Sequence, residues 1–197
     1  MTLRTRTLAW SAVLTGVLAI VLVVSAGIGP VSIPPATVGK ILLSADPLPF
    51  TFGAPRTDRT IVLDVRLPRI ALAAFVGLAL ATAGTVMQGF FRNPMADPSI
   101  IGVSSGAAVG AVATIVLPFA FPFGLELQGA AFVAAILTAF GVYLIATQSG
   151  HTPTATLLLA GVAVQTFLGA VISLLLLHSG RSLRRVVYWL MGHLGGT

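Results

Sequence analysis

The 197 residues are 56% hydrophobic and only 8% charged, against about 25% charged in an ordinary soluble domain. Eleven basic and five acidic side chains cannot build the polar skin that a soluble chain of this size must show to water, so lipid is the solvent for most of the exterior. The net charge of +6 is no nucleic-acid signature, because the basic residues fall in short segments between apolar runs, and the absence of cysteine excludes a disulfide framework, a thiolate metal site and a cysteine nucleophile.

A bilayer core takes about 20 predominantly apolar residues per helix, and runs near 8–28, 70–91, 100–121, 127–146 and 155–177 qualify. The first follows Arg4 and Arg6 and reaches Val24-Ser25-Ala26, which looks like a signal-peptide cleavage site. Its apolar stretch exceeds the roughly 7–15 residues of that class, so an uncleaved helix is expected. Between the first two runs lies a long loop, Gly29 to Leu67, with prolines at 30, 34, 35, 47, 49 and 55. Proline fixes φ and removes a donor, which predicts no continuous helix there, only a short amphipathic one near Thr37 to Leu43. No Asp, Glu, Lys or Arg lies inside any of the five runs, as the cost of an intramembrane charge demands. After the fifth, Ser182 to Met191 (SLRRVVYWLM) sets arginines beside aromatic and aliphatic residues, a composition suited to a helix at the membrane interface. The expected fold is all-α: one polytopic membrane domain over 1–197, with about five transmembrane helices and a short interfacial helix.

Gly102, Gly106 and Gly110 repeat at four-residue spacing, a pattern that lets another helix backbone approach closely and points first to packing. Between the second and third runs stands a polar, helix-breaking cluster, Gln88 to Ser99 (QGFFRNPMADPS). Its two prolines force an ordered turn, with Asp97 or Ser99 as the cap of the next helix. Gln88 falls within the last turns of an apolar helix and needs a hydrogen-bond partner or a water-filled cavity. Lys40 is the only lysine and does not end a phosphate loop, so no nucleotide site is expected on this chain. His151, His178 and His193 lack metal-ligand spacing, no metal site is expected, and no carboxylate is placed to carry protons through a membrane. No nucleophile–base pair stands out, which argues against an enzyme.

Arg66-Leu67-Pro68-Arg69, then Gln88 to Pro98 (QGFFRNPMADP), then Ile101-Gly102-Val103-Ser104-Ser105-Gly106-Ala107 occur in that order and spacing. The chain here resembles the FecCD/BtuC-like permease family of ABC importers for iron–siderophores, haem and cobalamin. Leu157 to Val162 and Tyr188 to Gly192 continue the likeness, which runs from about Val65 to Gly196.

The resemblance implies a permease of about ten helices that works as a homodimer or with a close paralogue in the cytoplasmic membrane of a prokaryote. Two separate ATPase subunits would hold the ATP–Mg, no cofactor would bind to this chain, and an extracytoplasmic binding protein would deliver the chelate, expected to be an iron–siderophore, the commonest cargo of the family, ahead of haem or cobalamin. The family's RLPR arginines, here Arg66 and Arg69, would pair with acidic residues of that binding protein. The turn at Asn93, Pro94 and Met95 would lie at the cytoplasmic gate. Gln88, Gly102, Ser104, Ser105 and Gly106 would line the pathway or serve packing. The segment Thr152 to Thr156 would lie at the gate end, although Gln148-Ser149-Gly150-His151 departs from the family's commoner basic loop. The family's grip on its ATPase lies beyond a sixth span, so the chain to Thr197 is expected to be a fragment or a truncated product, unable to transport alone.

One count opposes that orientation. With an inside amino terminus, Arg4, Arg6 and Arg92 are cytoplasmic, whereas Lys40, Arg56, Arg59, Arg66, Arg69, Arg181, Arg184 and Arg185 are outside, the reverse of the positive-inside rule. A docking role for the outer arginines accounts for the excess, and the family orientation is kept. The alternatives are an ATPase-independent secondary carrier, working as a dimer of small bundles, and a non-transporting structural subunit. The absent intramembrane carboxylates weigh against the first. The polar turn and outer basic patch weigh against the second.

Overall fold

A computed structural model describes residues 2–44, 53, 55–117 and 126–192. Prolines 47 and 49, the end of the third apolar run (118–121), His193 and Gly196 lie outside the described residues. The helices are α1 (Leu3–Gly27), α2 (Pro35–Leu43), α3 (Arg56–Thr60), α4 (Leu67–Phe91), α5 (Val103–Val116), α6 (Glu126–Ala146), α7 (Thr154–His178) and α8 (Leu183–Leu190). Contacts group the chain into two units, Met1–Gly77 and Leu78–His193.

In the first unit, α1 exposes Leu8, Leu14, Leu18 and Ile20 to its surroundings, as a lipid-facing helix should. It stops where Ile28 turns to extended backbone. Pro35 starts α2 at the first helical position, where a missing N–H costs nothing. The buried core of this unit is small: Ala26, Ile33, Val38, Ile41 and Val62, flanked by Leu42, Ile61, Leu63 and Ile70.

The second predicted span needs correcting at its start. The helix begins at Arg56, directly after Pro55, and runs through α3, a π-helical segment (Ile61–Arg66) and α4 as 36 continuous residues. A proline ring inside a helix clashes with the carbonyl four residues back, which for Pro68 is that of Asp64. Asp64 lies inside the π segment, where Leu67 N–H reaches back five residues to Val62. The wider π turn accommodates the proline without ending the helix.

The third predicted span is also corrected. α5 has 14 residues, about 21 Å at 1.5 Å per residue, short of the ~30 Å hydrocarbon core. It ends at Leu117 (φ −105°, ψ 144°), because the residue before a proline is driven from helical to extended backbone. Four helices are therefore long and apolar enough to cross a membrane among the described residues, together with this shorter apolar one. The fourth and fifth predicted runs match α6 and α7 to within a residue at each end.

In the second unit α5 packs against α6 and α7 and is enclosed at Gly106, Gly110, Ala111 and Val112. Val142, Ala146 and Ala160 bury the seam between α6 and α7. Residues 147–153 join those helices, with a two-residue turn at their tip, Ser149 and Gly150 both at positive φ between the bridged Gln148 and His151, as in the tightest hairpins. Thr147 and Thr152 share a 2.8 Å hydrogen bond beneath it. Downstream, α8 buries Val186 and exposes Arg184 and Arg185, the two-faced helix expected after the fifth run.

Candidate docking and pathway residues

Arg66 ends the π segment and Arg69 stands in the first turn of α4, yet their surroundings differ. Arg66 is half-buried. Its Nη1 donates to the carbonyl of Ala26 at 2.7 Å and its Nη2 to the carbonyl of Val31. Arg69 is exposed and makes no hydrogen bond among the described residues. A planar guanidinium in that state can engage a carboxylate through two parallel bonds.

The far end of α4 is closed by backbone geometry. Asn93 N–H donates to the carbonyl of Gln88 at 3.1 Å and Arg92 N–H to that of Gly89 at 3.4 Å, the paired bonds of a Schellman cap. The residue this cap requires in left-handed conformation is usually glycine, and here it is Arg92, at φ 48°. The Gln88 side chain is exposed in the last turn of α4.

Asn93 then organises the turn. Its Oδ1 accepts from Met95 N–H at 2.9 Å, and Ala96 N–H reaches the Asn93 carbonyl at 3.1 Å across Pro94. That places proline at the position of a β-turn for which its fixed φ is suited. Met95 is 83% exposed and Ala96 is buried. Asp97 caps the 3₁₀ turn Pro98–Ile101, accepting from Ser99 N–H at 2.7 Å. Hydrogen bonds from the Ser99 hydroxyl and N–H hold its carboxyl below the usual aspartate value. Of the two capping residues expected from sequence, Asp97 accepts and Ser99 donates.

Gly102 takes φ 77° between the 3₁₀ turn and α5, a conformation open to glycine at little cost. Gly106 faces Thr138 and Gly110 faces Ala130 and Ala134 of α6, so closely that neither position has room for a Cβ. At Gly106 and Gly110 the glycines thus serve packing. Gly161 of α7 meets the backbone of Ile100 and Ile101 in the same way. Sequence reasoning missed it because it belongs to no repeat. Ser104 is exposed and Ser105 half-buried, and neither side chain makes a hydrogen bond among the described residues. No group of three His, Asp or Glu side chains that could hold a metal ion occurs among them either.

These features suit holding helices in register and presenting charge. The profile of the FecCD transport family matches residues 17–197. The cobalamin import system permease protein BtuC of Halobacterium salinarum is 51% identical, over 98% of this chain and 60% of its own length. The hemin transport system permease protein HmuU of Yersinia pestis is 42% identical over 68% of this chain and 41% of its own. The molybdate import system permease protein MolB of Haemophilus influenzae is 36% identical over 91% of this chain and 52% of its own. A solved metal-chelate type ABC transporter in an inward-facing conformation superposes with a TM-score of 0.68 and 34% identity, over 92% of this chain and 52% of that one. The chain spans about half the length of the relatives it matches. It is a multi-pass membrane protein, and it belongs to the FecCD transport family.

Proposed function

We propose that this chain supplies transmembrane helices of an ABC importer permease. The assembly would carry a bulky metal chelate across the cytoplasmic membrane of a prokaryote, powered by a separate ATPase. The observation that carries the reading is the permease likeness over nearly the whole chain, at 51% identity to a cobalamin permease. Within the chelate class the cargo we favour is cobalamin, and what supports it is the 51% identity to a cobalamin permease.

The segment Arg66 to Arg69 docks the binding protein, with the exposed Arg69 making the direct contact. The Asn93-Pro94-Met95 turn, stiffened by its own hydrogen bonds, forms the cytoplasmic gate end. Gln88 and the serines of α5 face the pathway, and a second permease subunit and two ATPase subunits complete the assembly. The test is a pull-down of the natural permease in detergent, with and without Arg69→Glu. The expected result is a co-purifying ATPase and a salt-sensitive binding-protein contact that the substitution removes. Recovery of neither partner would overturn the reading. An ATPase that binds while Arg69→Glu docks normally would remove Arg69 from the docking surface and leave the importer class standing.

A further inference from the structure

We infer that Arg66 is a staple that supplies the hydrogen-bond donors its neighbouring prolines cannot. In a continuing helix the carbonyl of Ala26 would accept from residue 30, and that of Val31 from residue 34 or 35. All three residues are prolines and carry no N–H. Ala26 is only 1% exposed, so water cannot readily replace the missing donor, and a buried carbonyl without a partner is costly. The Arg66 fork answers both carbonyls, Ala26 through Nη1 and Val31 through Nη2. Its positive charge also sits at the carbonyl end of α1, the favourable end of the helix dipole.

Gly29 completes the device. It is not held at a positive φ, so its backbone does not require glycine. A Cβ there would lie 2.6 Å from Arg66 Nη2 and 3.0 Å from Cζ, so what glycine provides is room for the guanidinium. Arg59 also donates to a carbonyl at a helix end, that of Ser44 after α2, at 3.4 Å. This role goes beyond partner docking and does not depend on it. It gives part of the outer excess of arginine a purpose within the fold.

The test is amide hydrogen exchange of the chain in nanodiscs, read at Ile28 and Ile33, whose N–H groups bond to Val24 and Gly27 inside the stapled turn. Arg66→Gln is expected to speed exchange at both by about tenfold or more, as expected for loss of charge-assisted hydrogen bonds. Gly29→Ala, which keeps the arginine, should do the same by displacing it. The double variant should be no worse than Arg66→Gln alone, and Arg69→Gln should leave both amides unchanged. Unchanged exchange in Arg66→Gln, additive effects of the two substitutions, or an equal loss in Arg69→Gln would each overturn the staple. If Arg66→Gln fails to fold, Gly29→Ala decides alone: protection equal to wild type refutes the proposal, and protection lost at both amides supports it.

Discussion

Replacing Gly110 by alanine tests how closely α5 and α6 approach. The added Cβ would lie 2.7 Å from Ala134 Cβ and 2.8 Å from the carbonyl carbon of Ala130, and nearer still to that carbonyl's oxygen. Carbon atoms in comfortable contact sit about 3.5–4.0 Å apart, so the helices must separate by about 1 Å. Two of these obstacles are backbone atoms and the third is a Cβ, so no rotamer change relieves the clash. Overpacking of this kind costs about 1–3 kcal/mol, partly offset by ~1 kcal/mol of improved helix propensity. With backbone atoms as obstacles the overpacking cost lies in the upper part of that range, about 2–3 kcal/mol, so the expected net loss is about 1–2 kcal/mol. Gly141 of α6 is the control: a Cβ added there would meet nothing within 4 Å, so Gly141→Ala should be neutral or stabilising by up to ~1 kcal/mol. Unfolding free energies in mixed micelles titrated with SDS would separate the two variants. A Gly110→Ala protein as stable as wild type, or an equal loss in Gly141→Ala, would refute the close approach.

Two further outcomes follow from the turn after α4. Arg92→Gly should stabilise the chain by up to ~1 kcal/mol in the same titration, because glycine adopts the left-handed cap without a Cβ penalty. Asp97 has its carboxyl depressed by the Ser99 hydrogen bonds, so its contribution is present above the unfolded value, near 3.8, and is lost as pH falls through the lower folded value. Protection of the Ser99 amide should therefore hold at pH 6 and fall below about pH 4, and in Asp97→Asn that fall should disappear.

Much of the fold was legible because apolar runs of membrane length leave few alternatives. Glu126–Ala146 and Thr154–His178 emerge almost at their expected bounds since no proline or charge interrupts them. The Asp97 cap was readable from an Asx-Pro-Ser sequence. The extension of the second helix back to Arg56 was not, because the charged residues 56–66 follow a proline-rich stretch and carry the composition of a loop. The π turn that holds Asp64 lets the helix run on through Pro68. The third run read as a full span because hydropathy does not register that Leu117 precedes a proline. For the candidate site, Gly106 and Gly110 of the repeat lie against α6 with no room for a Cβ while Gly102 serves a left-handed turn, and Arg66 and Arg69 looked equivalent in sequence. What separates them is three prolines distant along the chain, which leave two carbonyls for Arg66 alone.

The proposed ATP-driven import of a bulky chelate can be followed as uptake in cells with the gene deleted and then restored. Labelled cobalamin and a labelled iron–siderophore would be followed, with ATP depletion and a protonophore applied separately. Deletion should abolish uptake of one bulky chelate, and the restored uptake should fail on ATP depletion but survive the protonophore while ATP is maintained. Uptake of both cargoes unaffected by deletion, or uptake stopped by the protonophore at constant ATP, would contradict the proposed import.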